Sequence, residues 1–345
     1  MKYIFLSYNY SPEFKTPESW LKRTAMYTGI LEELAKTNTV INVKQIGYHG
    51  EYLHNGVQHH FVKLNTVKTR FPTKFNLYIK SLEPDVVVYP GAHQPLELMQ
   101  LRLLLGPKVK IMVHNHAEKP FSGLKKYAQR LAGHFADAYL FASRPMGMEW
   151  VERGNLKYPH KIHEVMEVSS VFKPVDRALA LSRTHASGQP VFLWVGRLND
   201  NKAPLTVVKA FLQFAAIHPS ARLYMIYHTD ELLEPVKQLL ADAGENNAVT
   251  LIGRVPHNEL LYWFNSADFI LSGSHYEGSG TAVCEAMSCG CVPVVTDIPS
   301  FRMITNNGKC GILYEAGSVQ ALLTALHETL KLNMARQRVL VLAHY

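Results

Sequence analysis

Short apolar runs alternate with longer amphipathic stretches along most of this chain. In the first half, runs at 3–7, 40–46, 86–89, 110–114 and 138–142 are rich in Val, Ile, Leu, Phe and Tyr, the pattern of strands buried on both faces. Between them, 18–36, 95–105 and 124–135 carry helical periodicity. A repeated β-α-β rhythm calls for a parallel sheet covered by helices on both sides. Residues 171–190 break the rhythm with Pro174, Gly188 and Pro190 and read as an interdomain linker. The alternation then restarts. Strands are expected at 191–195, 222–227, 249–252, 269–272 and 292–296, and helices at 204–216, 231–243, 257–265, 281–289 and 318–332. Pro204 stands in the first turn of the helix it opens, where its missing N–H costs nothing. The expected fold class is α/β, two Rossmann-like domains spanning 1–172 and 173–345, with ligands at the carboxyl ends of the strands.

Composition sharpens this picture. The chain has 345 residues, 47% apolar and 19% charged, enough for two cored domains and against wholesale disorder. No apolar run reaches the roughly 18 residues of a membrane span. The start, Met1 to Ser7, is too short for a secretory signal and lacks a cleavage site, so a cytoplasmic location is expected. The four cysteines, Cys284, Cys289, Cys291 and Cys310, fit no paired zinc spacing and read as buried small residues. No Asp-x-Asp occurs, which argues against a divalent metal clamping a diphosphate.

The charge of +8 is lopsided. Residues 1–172 hold 22 Lys+Arg against 14 Asp+Glu, and 173–345 hold 14 of each. The stretch 52–82 has no acid at all. It interleaves Lys63, Lys68, Arg70, Lys74 and Lys80 with Phe61, Phe71, Phe75 and Tyr78. That mix suits an anionic leaflet or phosphorylated lipid, and equally a solvated basic face. His59 and His60 read as part of the same basic stretch. No nucleic-acid motif accompanies the charge.

Three motifs carry chemistry. The segment Ser274-His275-Tyr276-Glu277-Gly278-Ser279-Gly280-Thr281 follows a strand and opens a helix that contains Glu285. Gly278 and Gly280 allow close approach of backbone to a ligand. Free N–H groups from Ser279 to Thr281, at the positive end of the helix, suit a diphosphate. Glu277 and Glu285 can accept hydrogen bonds from sugar and ribose hydroxyls. In Gly196-Arg197-Leu198-Asn199-Asp200-Asn201-Lys202, Arg197 can fork onto phosphate oxygens and Lys202 adds a point charge. Gly253-Arg254-Val255 ends a strand where backbone groups can meet a nucleobase edge.

Glu277 and Glu285, with seven residues between them, together with the Gly-Arg…Lys loop, resemble the retaining GT-B glycosyltransferases of family 4. The likeness runs through 191–317, including Glu285-Ala286-Met287 and Gly290-Cys291-Val292-Pro293. It implies two Rossmann-like domains facing across a cleft, a UDP- or GDP-linked sugar donor, no metal, no cofactor, and retention at the anomeric carbon. It assigns Arg197 and Lys202 to the diphosphate, Glu277 to the donor sugar and Glu285 to the ribose. It also implies a histidine past the fourth strand, facing the sugar. Val113-His114-Asn115-His116 offers His116 for that role, in preference to His114. His-x-His is also a metal pattern, but no third ligand is evident. The family's glycine pair after the first strand is absent from Asn9–Pro17 here, and where family members usually close with a helix that returns to the first domain, this chain stops at 340–345, just after its last amphipathic stretch. The implied function is sugar transfer to an acceptor hydroxyl, on a sugar or lipid-linked acceptor, in surface-polysaccharide or glycolipid assembly. The alternatives are a sugar-nucleotide-binding protein without catalysis, an inverting transferase, or a sugar-nucleotide epimerase.

Overall fold

The computed structural model describes residues 1–63, 72–166, 168–244 and 248–345, leaving aside the side chain of Met26. The chain divides into two units, Met1–Ser169 and Ser170–Tyr345, a boundary three residues before the one expected.

Unit 1 runs β1 (Lys2–Ser11), α1 (Pro17–Ala35), β2 (Thr39–Ile46), β3 (Gly50–His54), β4 (Val57–Phe61), α2 (Thr73–Ser81), β5 (Val86–Pro90), α3 (Pro95–Leu105), β6 (Lys110–His114), α4 (Lys125–Ala132), β7 (Ala138–Phe141), α5 (Arg144–Glu152) and β8 (Ile162–Glu164). Its sheet has the order β3-β4-β2-β1-β5-β6-β7-β8. All pairs are parallel except β3 with β4. In place of a glycine pair, the first loop ends on Thr16. The Thr16 and Ser19 side chains form a reciprocal capping box at the start of α1, with Pro17 in its first turn, which satisfies two orphan donors.

The segment 52–82 departs from expectation. Its first ten residues belong to the hairpin β3–β4. Asn55 and Gly56 both take positive φ, 45° and 82°, the requirement of a tight two-residue hairpin turn. Phe61 and Phe75 are fully buried, and Tyr78 pairs its hydroxyl with His60 at 2.8 Å. Phe61 and Phe75 therefore belong to the core, and Tyr78 is half-buried. Lys63, Lys74 and Lys80 do face solvent, while Lys68, Arg70 and Phe71 lie outside the described residues. His59 and His60 are core residues of β4, 1% and 7% exposed. Burial pushes His59 down to about 4 and lowers His60. They add no charge near neutral pH, contrary to their reading as part of a basic stretch.

Unit 2 runs α6 (Arg177–Thr184), β9 (Val191–Gly196), α7 (Pro204–Ile217), β10 (Arg222–Tyr227), α8 (Leu233–Asp242), β11 (Val249–Gly253), α9 (Leu260–Ser266), β12 (Phe269–Ser272), α10 (Thr281–Ser288), β13 (Val292–Thr296), α11 (Pro299–Ile304), β14 (Ile312–Tyr314), α12 (Val319–Thr329) and α13 (Met334–His344). The parallel sheet has the order β11-β10-β9-β12-β13-β14, which is doubly wound. Phe192 of β9 anchors the core, stacked on Phe269 at 5.0 Å and edge-on to Phe211 at 5.3 Å. Buried Val207, Val208, Phe211, Phe214 and Ala215 form one stripe of α7, at helical spacing.

The expected linker is partly helical. Asp176 caps α6 by accepting from the Leu179 N–H at 2.8 Å, and α6 packs against α9. The closing helix α13 packs on α10 and β13 of its own unit. Val341 is fully buried there, and Arg338 reaches Asp268 at 3.0 Å. All four cysteines are free and buried, and burial pushes the Cys284 thiol up to about 12.

Candidate functional site

In unit 2, β9 lies beside β12 where the winding of the sheet reverses. Loops leaving the carboxyl ends of two such strands diverge and open a crevice. These two loops are the Gly196–Lys202 and Ser274–Thr281 motifs, so the topology joins what the sequence keeps 75 residues apart.

Gly273 lets them meet. A Cβ there would stand 3.1 Å from the Lys202 carbonyl oxygen and 3.3 Å from that of Ala203, tighter than side chains normally tolerate. Cross-links follow. The His275 N–H donates to the Asn201 carbonyl at 2.8 Å, and the Asn201 amide donates to the Tyr276 carbonyl at 2.9 Å. Asn199 caps the short 3-10 turn Asp200–Lys202 by accepting from the Lys202 N–H at 3.2 Å. This turn carries the lysine side chain back toward the second loop.

Lys202 and Glu277 form an ion pair, their side chains 20% and 13% exposed. The same oxygen, Oε1, accepts from Ser274 Oγ at 2.6 Å. The loop backbone is fastened behind the carboxylate. Thr296 of β13 donates to the Ser274 carbonyl at 2.5 Å, and Ser300 of α11 donates to the Glu277 carbonyl at 3.1 Å. The two cations expected to meet a diphosphate differ in their present surroundings. Lys202 is engaged by Glu277, because burial makes each charge seek a counterion. Arg197 is exposed and makes no ion pair or side-chain hydrogen bond among the described residues.

The glycines also differ in role. Gly280 takes φ +58° at the start of α10, and a Cβ there would lie 2.7 Å from the Phe301 ring. Its smallness therefore serves the packing of α10 on α11 as well as any ligand. Gly278 and Ser279 are buried, and Thr281 is half-buried.

Glu285 lies in the second turn of α10, 3% exposed. Its Oε1 pairs with His257 Nε2 at 2.7 Å. His257 is a residue the sequence did not single out. It follows Gly253-Arg254-Val255 at the end of β11, with its ring packed 4.9 Å from Phe172. Gly253 turns the chain with φ +78°, Arg254 is exposed and Val255 half-buried. The only signal for His257 was its place just past a strand end on the same sheet edge as the other loops.

His116 belongs to unit 1, in a turn after β6. Asn115 Oδ1 accepts from the Ala117 N–H at 3.0 Å, and Glu118 accepts from the His116 N–H at 2.8 Å. The rings of His114 and His116 stand 4.6 Å apart. Both line a pocket of unit 1. Among the described residues, no three His, Cys, Asp or Glu side chains cluster as metal ligands.

Residues 180–340 match the family of glycosyl transferases group 1. The D-inositol 3-phosphate glycosyltransferase of Streptosporangium roseum is 26% identical over 160 residues, 44% of this chain and 37% of that protein. The GDP-mannose:cellobiosyl-diphosphopolyprenol alpha-mannosyltransferase of Xanthomonas campestris is 29% identical over 131 residues, 37% of this chain and 34% of that protein. The matched stretches thus span little more than a third of those relatives. Among solved structures, a glycosyltransferase from Rickettsia africae superposes over 100% of this chain and 94% of its own, with TM-score 0.74 and 14% identity. Anabaena HepE, solved with UDP and glucose, superposes over 100% and 93%, with TM-score 0.68 and 14% identity. The fold is that of the GT-B glycosyltransferases, two Rossmann-like α/β units, and the group 1 family match lies within unit 2.

Proposed function

We propose that this chain, whose second unit is a glycosyl transferases group 1 domain, moves a sugar from a UDP- or GDP-linked donor to an acceptor hydroxyl in polysaccharide or glycolipid assembly. The observation that carries this reading is the Ser274–Glu277–Lys202 cluster. It lies at the switch point of the unit 2 sheet, on the loop that opens the helix of Glu285. An ammonium, a carboxylate and a helix start on one crevice are what a diphosphate-linked sugar needs. A diphosphate entering there draws Lys202 from Glu277 onto its oxygens, and exposed Arg197 folds onto it. The freed carboxylate then accepts from sugar hydroxyls, while Glu285 and His257 hold the ribose. The relatives point the same way, one being named for a GDP-mannose donor.

In the reaction, the bond from the anomeric carbon to the diphosphate oxygen breaks, and its electron pair leaves with the phosphate. The acceptor oxygen bonds to that carbon from the same face. Its proton passes to the departing phosphate oxygen beside it, so configuration is retained. Arg197, Lys202 and the start of α10 stabilise the growing negative charge, commonly the largest single contribution in such chemistry. Two cations and a helix start serve in place of a metal, and the family resemblance assigns His116 of unit 1 to the sugar. Transfer is expected to persist in excess EDTA, with the donor's anomeric configuration preserved in the product by NMR. Dependence on magnesium or manganese, or an inverted product, would overturn those two points.

No helix among the described residues is long and apolar enough to cross a membrane. With Phe61 and Phe75 turned inward, peripheral contact with an anionic leaflet is assigned to exposed Lys63, Lys74 and Lys80. Replacing the three by glutamine is expected to weaken binding to phosphatidylglycerol vesicles, and most at low salt, where screening is least. Unchanged vesicle binding leaves these lysines a solvated face.

A further inference from the structure

Unit 1 has a pocket of its own, about 370 Å³, between α1 and the middle of its sheet. It lies at that sheet's switch point, where β1 has β2 on one side and β5 on the other. A stripe of α1 that includes Trp20 and Tyr27 forms one wall, and Phe5 and Tyr89 form part of the floor. The volume is in the range of small-ligand sites.

Three polar groups in this apolar wall lack partners. Lys44 enters from β2, partly buried, and burial alone pulls its pKa down to about 8. No carboxylate among the described residues pairs with it. Asn42, two residues earlier and therefore on the same face of the strand, is 3% exposed. Its amide nitrogen donates to His59 at 3.2 Å, and its Oδ1 is buried with no partner. Trp20 Nε1 is likewise buried and unsatisfied. Unpaired buried charges and hydrogen-bonding groups cost stability, and a chain that keeps three at one cavity gains something when the cavity fills.

We infer that this pocket binds an anionic group, a phosphate or carboxylate carried on a compact apolar or ring-shaped body, with Lys44 as the residue that selects for the charge. Lys44 supplies the counterion, Trp20 Nε1 donates to an anionic oxygen, and Asn42 Oδ1 accepts from a hydroxyl. Aromatic walls pack the body. Taken with the transferase reading, on which this last step rests, unit 1 selects acceptors that bear an anionic group.

The test is direct binding to the full chain, followed by ligand-observed NMR, with phenyl phosphate, inorganic phosphate and benzyl alcohol as probes. Phenyl phosphate is expected to bind at least tenfold more tightly than either of the others. Lys44→Met keeps the length of the side chain and is expected to fold with an unchanged or higher Tm. It should weaken phenyl phosphate at least tenfold and leave benzyl alcohol as before. Affinity for phenyl phosphate is expected to fall as pH rises through about 8, as Lys44 loses its proton. The phosphate is already a dianion there, so the loss belongs to the protein. His114, His116, Tyr27 and Tyr89 also face the pocket and His59 backs it. The fall is assigned to Lys44 by its absence in Lys44→Met. Equal binding of phenyl phosphate by the variant, equal binding of benzyl alcohol and phenyl phosphate, or no binding of phenyl phosphate at millimolar concentration would each overturn the inference. Binding of a nucleoside diphosphate, titrated separately, reports on unit 2. Failure of one leaves the other standing.

Discussion

Glu277→Gln is expected to lower turnover on the order of a hundredfold while nucleoside-diphosphate affinity stays near normal. Glutamine keeps the size of the side chain and the oxygen that accepts from Ser274 Oγ at 2.6 Å. What it removes is the negative charge beside Lys202. In the proposed reaction that charge faces a sugar whose anomeric carbon turns positive as the diphosphate leaves. An interaction that strengthens only on the way to the transition state appears in kcat rather than in ground-state binding. The pairing with Lys202 adds a second signature. Removing either member leaves the other half-buried and uncompensated, so the effects of Glu277→Gln and Lys202→Ala should not add. Steady-state kinetics on both single variants and the double variant check this. If Glu277→Gln turns over normally, the ion pair only holds the two loops together.

Glu285→Ala should fail in the opposite manner. Its carboxylate is 3% exposed and shares a 2.7 Å hydrogen bond with His257. Removing it leaves His257 without its partner and, in the proposed complex, strips one from the ribose. An unsatisfied group in a dry site costs about 1–3 kcal/mol, which is a loss of about fivefold to 150-fold in affinity. The loss should appear with the bare nucleoside diphosphate, before any sugar is attached. If instead Glu285→Ala binds the nucleotide normally and Glu277→Gln does not, the two glutamates exchange roles.

Local pattern carried the alternation of strand and helix, and with it the ends of β9 and β12. A fully buried parallel strand is written as an apolar run, and each loop that follows begins where the run stops. The two loops at the unit 2 switch point were therefore readable as chemistry before their proximity was known. The ion pair between them was not, because a side-chain pairing across 75 residues leaves no local trace. Composition misled at 52–82. Counting lysines and aromatics together hid their separation by face, with Phe75 and Ile79 inward and Lys74 and Lys80 outward on α2. The Asn55-Gly56 pair between Leu53 and Val57 was the hairpin signal that the charge count obscured. In the expected linker, Pro and Gly read as breakers, whereas Asp176 starts a helix between them. Lys44 and Asn42 looked like ordinary strand residues. Only the packing of α1 over β2 shows that they end in a cavity.

The central claim is that the switch point of unit 2 holds a nucleoside diphosphate. Calorimetric titration of UDP, GDP and ADP into the protein, and into an Arg197→Ala/Lys202→Ala double variant, tests it most directly. One of the three nucleotides is expected to bind and to raise Tm, since a ligand that binds only the native state stabilises it. Its affinity should drop at least tenfold in the double variant, which loses both cations and whose folding is checked by circular dichroism. Binding by none of the three, or equal binding to the wild type and the double variant, would contradict the claim.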